Sequence, residues 1–66
     1  MTRKEANKEL LKKLEWFIGR CPEQRFGQIL CNYFFPDYRE RDPFYAEPED
    51  TLAGVERLIR ELEGER

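Results

Sequence analysis

The side chains able to do covalent chemistry are few: two thiols at Cys21 and Cys31, hydroxyls at Thr2, Thr51 and three tyrosines, no Ser and no His. Nucleophilic catalysis needs a hydroxyl or thiol beside a base that takes its proton, so one copy of this chain cannot assemble a triad. A cysteine nucleophile needs a neighbouring cation or base to stabilise the thiolate. Cys21, next to Arg20, meets that need better than Cys31, which lies in an apolar stretch that disfavours the thiolate. The preferred reading of Cys21 is still a core thiol at a helix end. Two Cys without His leave a structural zinc site short of ligands. Acid–base work by carboxylates needs two held in a cleft with different environments, and a short chain builds little cleft. Glycines 19, 27, 54 and 64 stand alone, so no phosphate cradle is present. The expectation is a protein that is not an enzyme, with no cofactor and no metal.

What the chain has in excess is aromatic surface. Residues 33–45 hold six aromatics in thirteen positions, interrupted by Pro36, Pro43 and the cluster Arg39-Glu40-Arg41-Asp42. Rings at that density either pack over the helices as a lid or stay exposed as a contact patch, since each can bury about 150–250 Å². The lid is the preferred reading, with residues 35–46 folded over one end. Tyr38, Arg39, Arg41, Phe44 and Tyr45 are also of the types that stack bases and pair phosphates in single-strand binders. A pI near 5.2 and the alternation of Glu40 and Asp42 with those arginines weigh against nucleic acid.

These residues need elements to hold them, and 66 residues allow one domain. The pattern predicts an all-α, compact three-helix domain with helices over about 3–19, 25–35 and 48–63 and the aromatic-rich loop between the second and third; helices 1 and 3 pack on helix 2. Thr2 and Glu5 form a capping-box signature. Leu10, Leu11, Leu14, Phe17, Ile18 and Cys21 recur at three- and four-residue spacing and define one buried arc. Gly19 is the expected C-terminal cap, and Pro22 forbids continuation. Trp16, about 200° from Leu14, should face outward among Glu5, Glu9 and Lys12, as a loop-covered residue or a partner anchor. In the second helix Phe26, Ile29, Leu30, Tyr33 and Phe34 form the apolar face, with Gln28, Asn32 and Phe35 opposite and Gly27 suited to a close crossing. The third helix opens at Glu47-Pro48, carries the stripe Leu52, Val55, Leu58, Ile59 and Leu62, and ends at Gly64, with Glu65 and Arg66 frayed.

Charge divides along the chain: residues 1–25 carry a net +3, residues 26–46 −1 and residues 47–66 −4, giving −2 in all. Opposite charges flanking two packed helices explain this most simply; head-to-tail or partner docking is the alternative. A charged first helix with no apolar stretch of signal-peptide length, and no run near the roughly 20 residues of a membrane span, leads to a cytoplasmic expectation.

Arg25-Phe26-Gly27-Gln28-Ile29-Leu30-Cys31-Asn32, preceded by Cys21-Pro22-Glu23-Gln24 and followed by Asp42-Pro43-Phe44-Tyr45 and an acidic run to Leu52, resembles an uncharacterised family of short bacterial and mobile-element proteins over most of its length. The resemblance implies the helix boundaries and singles out Arg25, Gln28 and Asn32; it implies no activity. In this chain Phe26 is expected to plug the core, Gly27 to permit close approach, and Arg25, Gln28 and Asn32 to bond carbonyls of the Asp42–Tyr45 turn. The other reading makes those three a polar recognition strip.

The function expected is a small protein-binding module: an accessory, regulator or inhibitor of a larger protein, with Trp16, Tyr38, Arg39, Arg41, Phe44 and Tyr45 as contacts. A mobile-element inhibitor of a host defence complex and an antitoxin-like partner both fit. The alternatives are a homodimeric structural protein, motivated by the small core and the opposed charges, and a single-stranded nucleic-acid binder.

Overall fold

A computed structural model describes residues 1–64, and in it the chain forms three helices and no strand among those residues. Helix α1 is Arg3–Arg20. Helix α2 opens as one α-turn, Phe26–Ile29, and continues as a π-turn, Leu30–Phe34. After a connection containing the 3₁₀ turn Pro43–Tyr45, α3 runs over Pro48–Gly64. The expected fraying at Glu65 and Arg66 lies outside the described residues.

The start of α1 follows from its capping box: Thr2 Oγ1 accepts the Glu5 N–H at 3.1 Å, and Glu5 Oε1 accepts the Thr2 N–H at 3.3 Å. Two otherwise unpaired backbone donors are satisfied reciprocally. The other end differs from expectation. Gly19 is inside the helix, and no described residue takes a positive φ, so no left-handed glycine cap forms. The helix closes at Arg20, with the Cys21 N–H donating to Phe17 O at 2.8 Å before Pro22 ends it.

Helices α1 and α3 pack mainly against each other and run in the same direction, with α2 laid against both, rather than both resting on a central α2. Arg3 clamps Glu47 with Nε and Nη2 at 3.1 and 3.0 Å at one end, while Trp16 lies beside Ile59, Arg60 and Glu63 at the other. The Glu47 carboxylate, by hydrogen bonding and then by charge, holds the Arg3 guanidinium above its ordinary pKa. This is the one link between the basic and acidic ends, among the described residues, with ion-pair geometry; the remaining pairs on α1 are local, Glu9 with Lys12 and Lys13.

The buried face of α1 is rotated from the expected arc. Ala6 and Phe17 are wholly buried and Leu10, Lys13 and Leu14 half-buried, whereas Leu11 is 66% and Ile18 46% exposed. The buried side of α1 follows Ala6, Leu10, Lys13 and Phe17, at spacings of four, three and four. An alanine and a lysine stem give little hydrophobic signal, so this side of the helix is underweighted in a reading by residue type.

The core is built around Phe17. Its ring stacks on Tyr33 at 4.5 Å and meets Phe34 edge-on at 5.6 Å, and Ile29 and Val55 close the cluster. Leu52, Val55 and the half-buried Leu58, Ile59 and Leu62 supply the α3 stripe as expected. The π-turn decides which aromatics of α2 join. The Phe35 N–H donates five residues back to Leu30 O at 2.8 Å, the wider ring of a π-turn. Each residue then advances by less than the 100° of an α-helix, which swings Phe34 towards the Ile29 side and brings Phe35 against the core, not among Gln28 and Asn32. Phe26, at the start of α2 and ahead of the π-turn, is 57% exposed, so it does not plug the core. Gly27 faces open space, with nothing within 4 Å of a Cβ placed there, so it serves no close crossing. Among the described residues, no helix is long and apolar enough to cross a membrane.

Candidate functional site

The connection between α2 and α3 is a chain of backbone turns, not a slack loop. Tyr38 N–H donates to Phe35 O at 3.2 Å, Glu40 and Arg41 N–H both donate to Asp37 O at 2.9 Å, and Ala46 N–H donates to Pro43 O at 3.2 Å. Asp42 Oδ1 accepts the Phe44 N–H at 2.9 Å, and Pro43 occupies the first position of the turn, where its missing donor costs nothing. Asp-Pro is a legible turn starter, and this sharp presentation of the next two residues could have been read from the sequence.

The turns do not fold the rings over the helices. Phe44 is 83%, Tyr45 78% and Tyr38 43% exposed, and Phe44 and Tyr45 rest edge-on against each other at 5.0 Å. The expected lid over residues 35–46 is therefore absent: Phe35 packs against the core beside Tyr33 and Phe34, which were expected there as part of the apolar face of α2, and Tyr38, Phe44 and Tyr45 face solvent. An open groove of about 480 Å³ remains where the connection stands off α3, lined by Phe35, Pro36, Arg41, Pro43, Thr51 and Leu58 among others. Arg39 and Arg41 are both exposed but engaged locally. Arg39 lies 5.7 Å from the Tyr38 ring centre and donates from Nε to the Tyr38 hydroxyl at 3.3 Å, while Arg41 is 3.8 Å from Asp37. A guanidinium over Tyr38 occupies the face that a base would stack on.

Trp16 belongs elsewhere. It is half-buried instead of facing outward, edge-on to Phe17 at 5.0 Å, with Arg20 5.2 Å from its ring centre. It lines a hollow of about 320 Å³ between α1 and α3 with Lys12, Glu56, Ile59 and Arg60. The α3 residues of that hollow, Glu56, Ile59, Arg60 and Glu63, and those of the larger groove, Gly54, Arg57, Leu58 and Glu61, fall on opposite faces of α3 at about 100° per residue. Trp16 and the Tyr38–Tyr45 segment thus do not form one patch.

The polar residues Arg25, Gln28 and Asn32 are exposed and do not reach the Asp42–Tyr45 turn. Gln28 Oε1 accepts the Arg25 N–H at 2.7 Å, which caps the start of α2. Asn32 Nδ2 donates to Gln24 Oε1 at 3.4 Å, and Gln24 Nε2 donates to the Tyr33 hydroxyl at 3.1 Å, 3.7 Å from Cys21 Sγ. Gln24, not singled out by the sequence, is the hub of this network, which fixes the α1–α2 corner. Both cysteines are free thiols; Cys31 is exposed, contrary to the buried setting expected for it. Among the described residues, no cluster of three or more Cys, Asp or Glu side chains is arranged to hold a metal ion.

No family model, curated protein or solved structure matches the chain. The geometry offers rings held outward on a hydrogen-bonded turn beside an open groove.

Proposed function

We propose that the chain is a small non-catalytic protein-binding module that engages a larger protein through Phe44 and Tyr45, flanked by Tyr38, Arg39 and Arg41, as an accessory, regulator or inhibitor. One observation carries the reading: two large rings stand 83% and 78% exposed on a turn whose backbone is fixed by hydrogen bonds. Exposed rings on a slack loop would lose conformational freedom on binding. Rings already presented on fixed backbone lose less, so more of their burial contributes to affinity. Aromatic and arginine side chains at the centre of a contact are also those that dominate interface energetics.

The test places a photo-crosslinking phenylalanine analogue at position 44, or at the exposed Glu49 as control, in cells of the native source. The expected result is a protein adduct of discrete mass from position 44 that is lost with Tyr45→Ala and absent from the control. No adduct, or equal adducts from both positions, overturns the proposal.

A further inference from the structure

The outer edge of α1 is apolar and uncovered. Leu11, Leu14 and Ile18 follow one another at spacings of three and four, the seam of a two-helix contact, yet α3 packs on the neighbouring side of the helix. Leu11 is 66% and Ile18 46% exposed, and Leu14 is half-buried. Beside this stripe stand Lys8 and Glu15, both exposed and neither in an ion pair among the described residues. Seven positions apart, they lie on the same face of the helix but about two turns, roughly 10 Å, from each other, too far to pair within one copy.

We infer that this edge takes a second copy of the chain, with the two α1 helices antiparallel about a two-fold axis. Running the copies in opposite directions sets Leu11 of one against Leu14 of its partner, and the reverse. Lys8 of each then approaches Glu15 of the other. Ile18 lies over the Asn7 position, extending the contact at both ends. A single self-complementary patch is what a two-fold interface requires, since every contact must occur twice. Running antiparallel, Lys8 of one copy and Glu15 of the other share one flank of the seam, whereas a parallel pair would set these flanks on opposite sides and leave both charges unpaired across it.

The chain exposes 5375 Å² at a mass of 8.0 kDa, whereas a compact monomer of that mass is expected to expose about 4,450 Å², and this whole-chain excess includes the exposed Phe44 and Tyr45 as well as this edge. This edge of α1 shares no residue with the Phe44–Tyr45 turn, so the two surfaces stand or fall separately.

Sedimentation equilibrium of the full chain, from low to high micromolar concentration, reads the dimer directly as twice the 8.0 kDa monomer mass. Leu11→Glu with Ile18→Glu is expected to weaken dimerisation at least about 100-fold by placing carboxylates in the apolar seam, with helical circular dichroism retained at low temperature. Lys8→Glu alone should weaken it by up to about tenfold, Glu15→Lys likewise, and the double exchange should restore it. Because both positions are exposed and helix-compatible, the exchange decides the matter even if the seam variant fails to fold. A strictly monomeric wild-type chain overturns the inference, as does a dimer indifferent to the seam substitutions, or a double exchange no tighter than either single change. Phe44→Ala with Tyr45→Ala should leave the dimer unchanged.

Discussion

Tyr33, Phe34 and Phe35 lie in or against the core, while Tyr38, Phe44 and Tyr45, from the same run of thirteen residues, stand largely in solvent. The two halves are alike in composition and differ in backbone. The first is carried by the end of α2, whose π-turn aims successive rings at Phe17 and Val55. The second is carried by hydrogen-bonded turns that consume the chain's length in place and keep it off α3. Hydrophobicity alone does not decide burial; a ring is buried where its backbone passes close to other apolar surface. It follows that the first half should govern stability and the second should be nearly silent in it.

That contrast breaks most readily at Phe17, the ring to which Tyr33 and Phe34 both attach. Phe17→Ala should cost about 3–5 kcal/mol, enough to remove most of the folded population of a domain this small. Thermal unfolding followed by circular dichroism is the check, and a cooperative transition near the wild-type midpoint would mean that the stacked cluster is not the core. A finer cut is Tyr33→Phe, which keeps the stacked ring but deletes the hydroxyl that accepts from Gln24. A loss of about 0.5–1.5 kcal/mol in urea unfolding is expected, with the slope unchanged. The smallest effect belongs to the exposed half: Phe44→Ala with Tyr45→Ala should change stability by no more than about 0.5 kcal/mol. A loss of several kcal/mol there would show that the turn packs on the helices in solution, and would remove the reason to regard it as a contact surface.

Much of the helical scaffold was legible from residue types. Thr2 with Glu5 marked the start of α1, Pro22 its limit, Glu47-Pro48 the start of α3, and the Leu52-to-Leu62 stripe its inner face. Each of these rests on interactions within a few residues of itself. The misplacements share the opposite property. Gly19 resembled a cap, Gly27 a crossing point and Phe26 a core plug because their types permit those roles, but the roles need a neighbour that the fold puts elsewhere. Gln28 and Asn32, expected to reach the Asp42–Tyr45 turn, found nearer partners in the Arg25 backbone and Gln24. Periodicity places Trp16 outward because it lies about 200° from Leu14, the middle of the expected arc; with the buried side rotated towards Ala6 and Phe17, that indole comes to the edge of the α1–α3 contact.

The amino-acid order by itself settled three helices, where α1 and α3 begin, the apolar stripe of α3 and the excess of rings in residues 33–45, because caps, prolines and periodicity act through bonds only a turn or two long. Which side of α1 meets α3, the π-turn that sorts the α2 aromatics, and the exposure of Phe44 and Tyr45 were decided only when the helices met. Those outcomes turn on packing between segments tens of residues apart, where a half-buried lysine stem or a buried alanine can outweigh a leucine that the neighbouring helix does not reach.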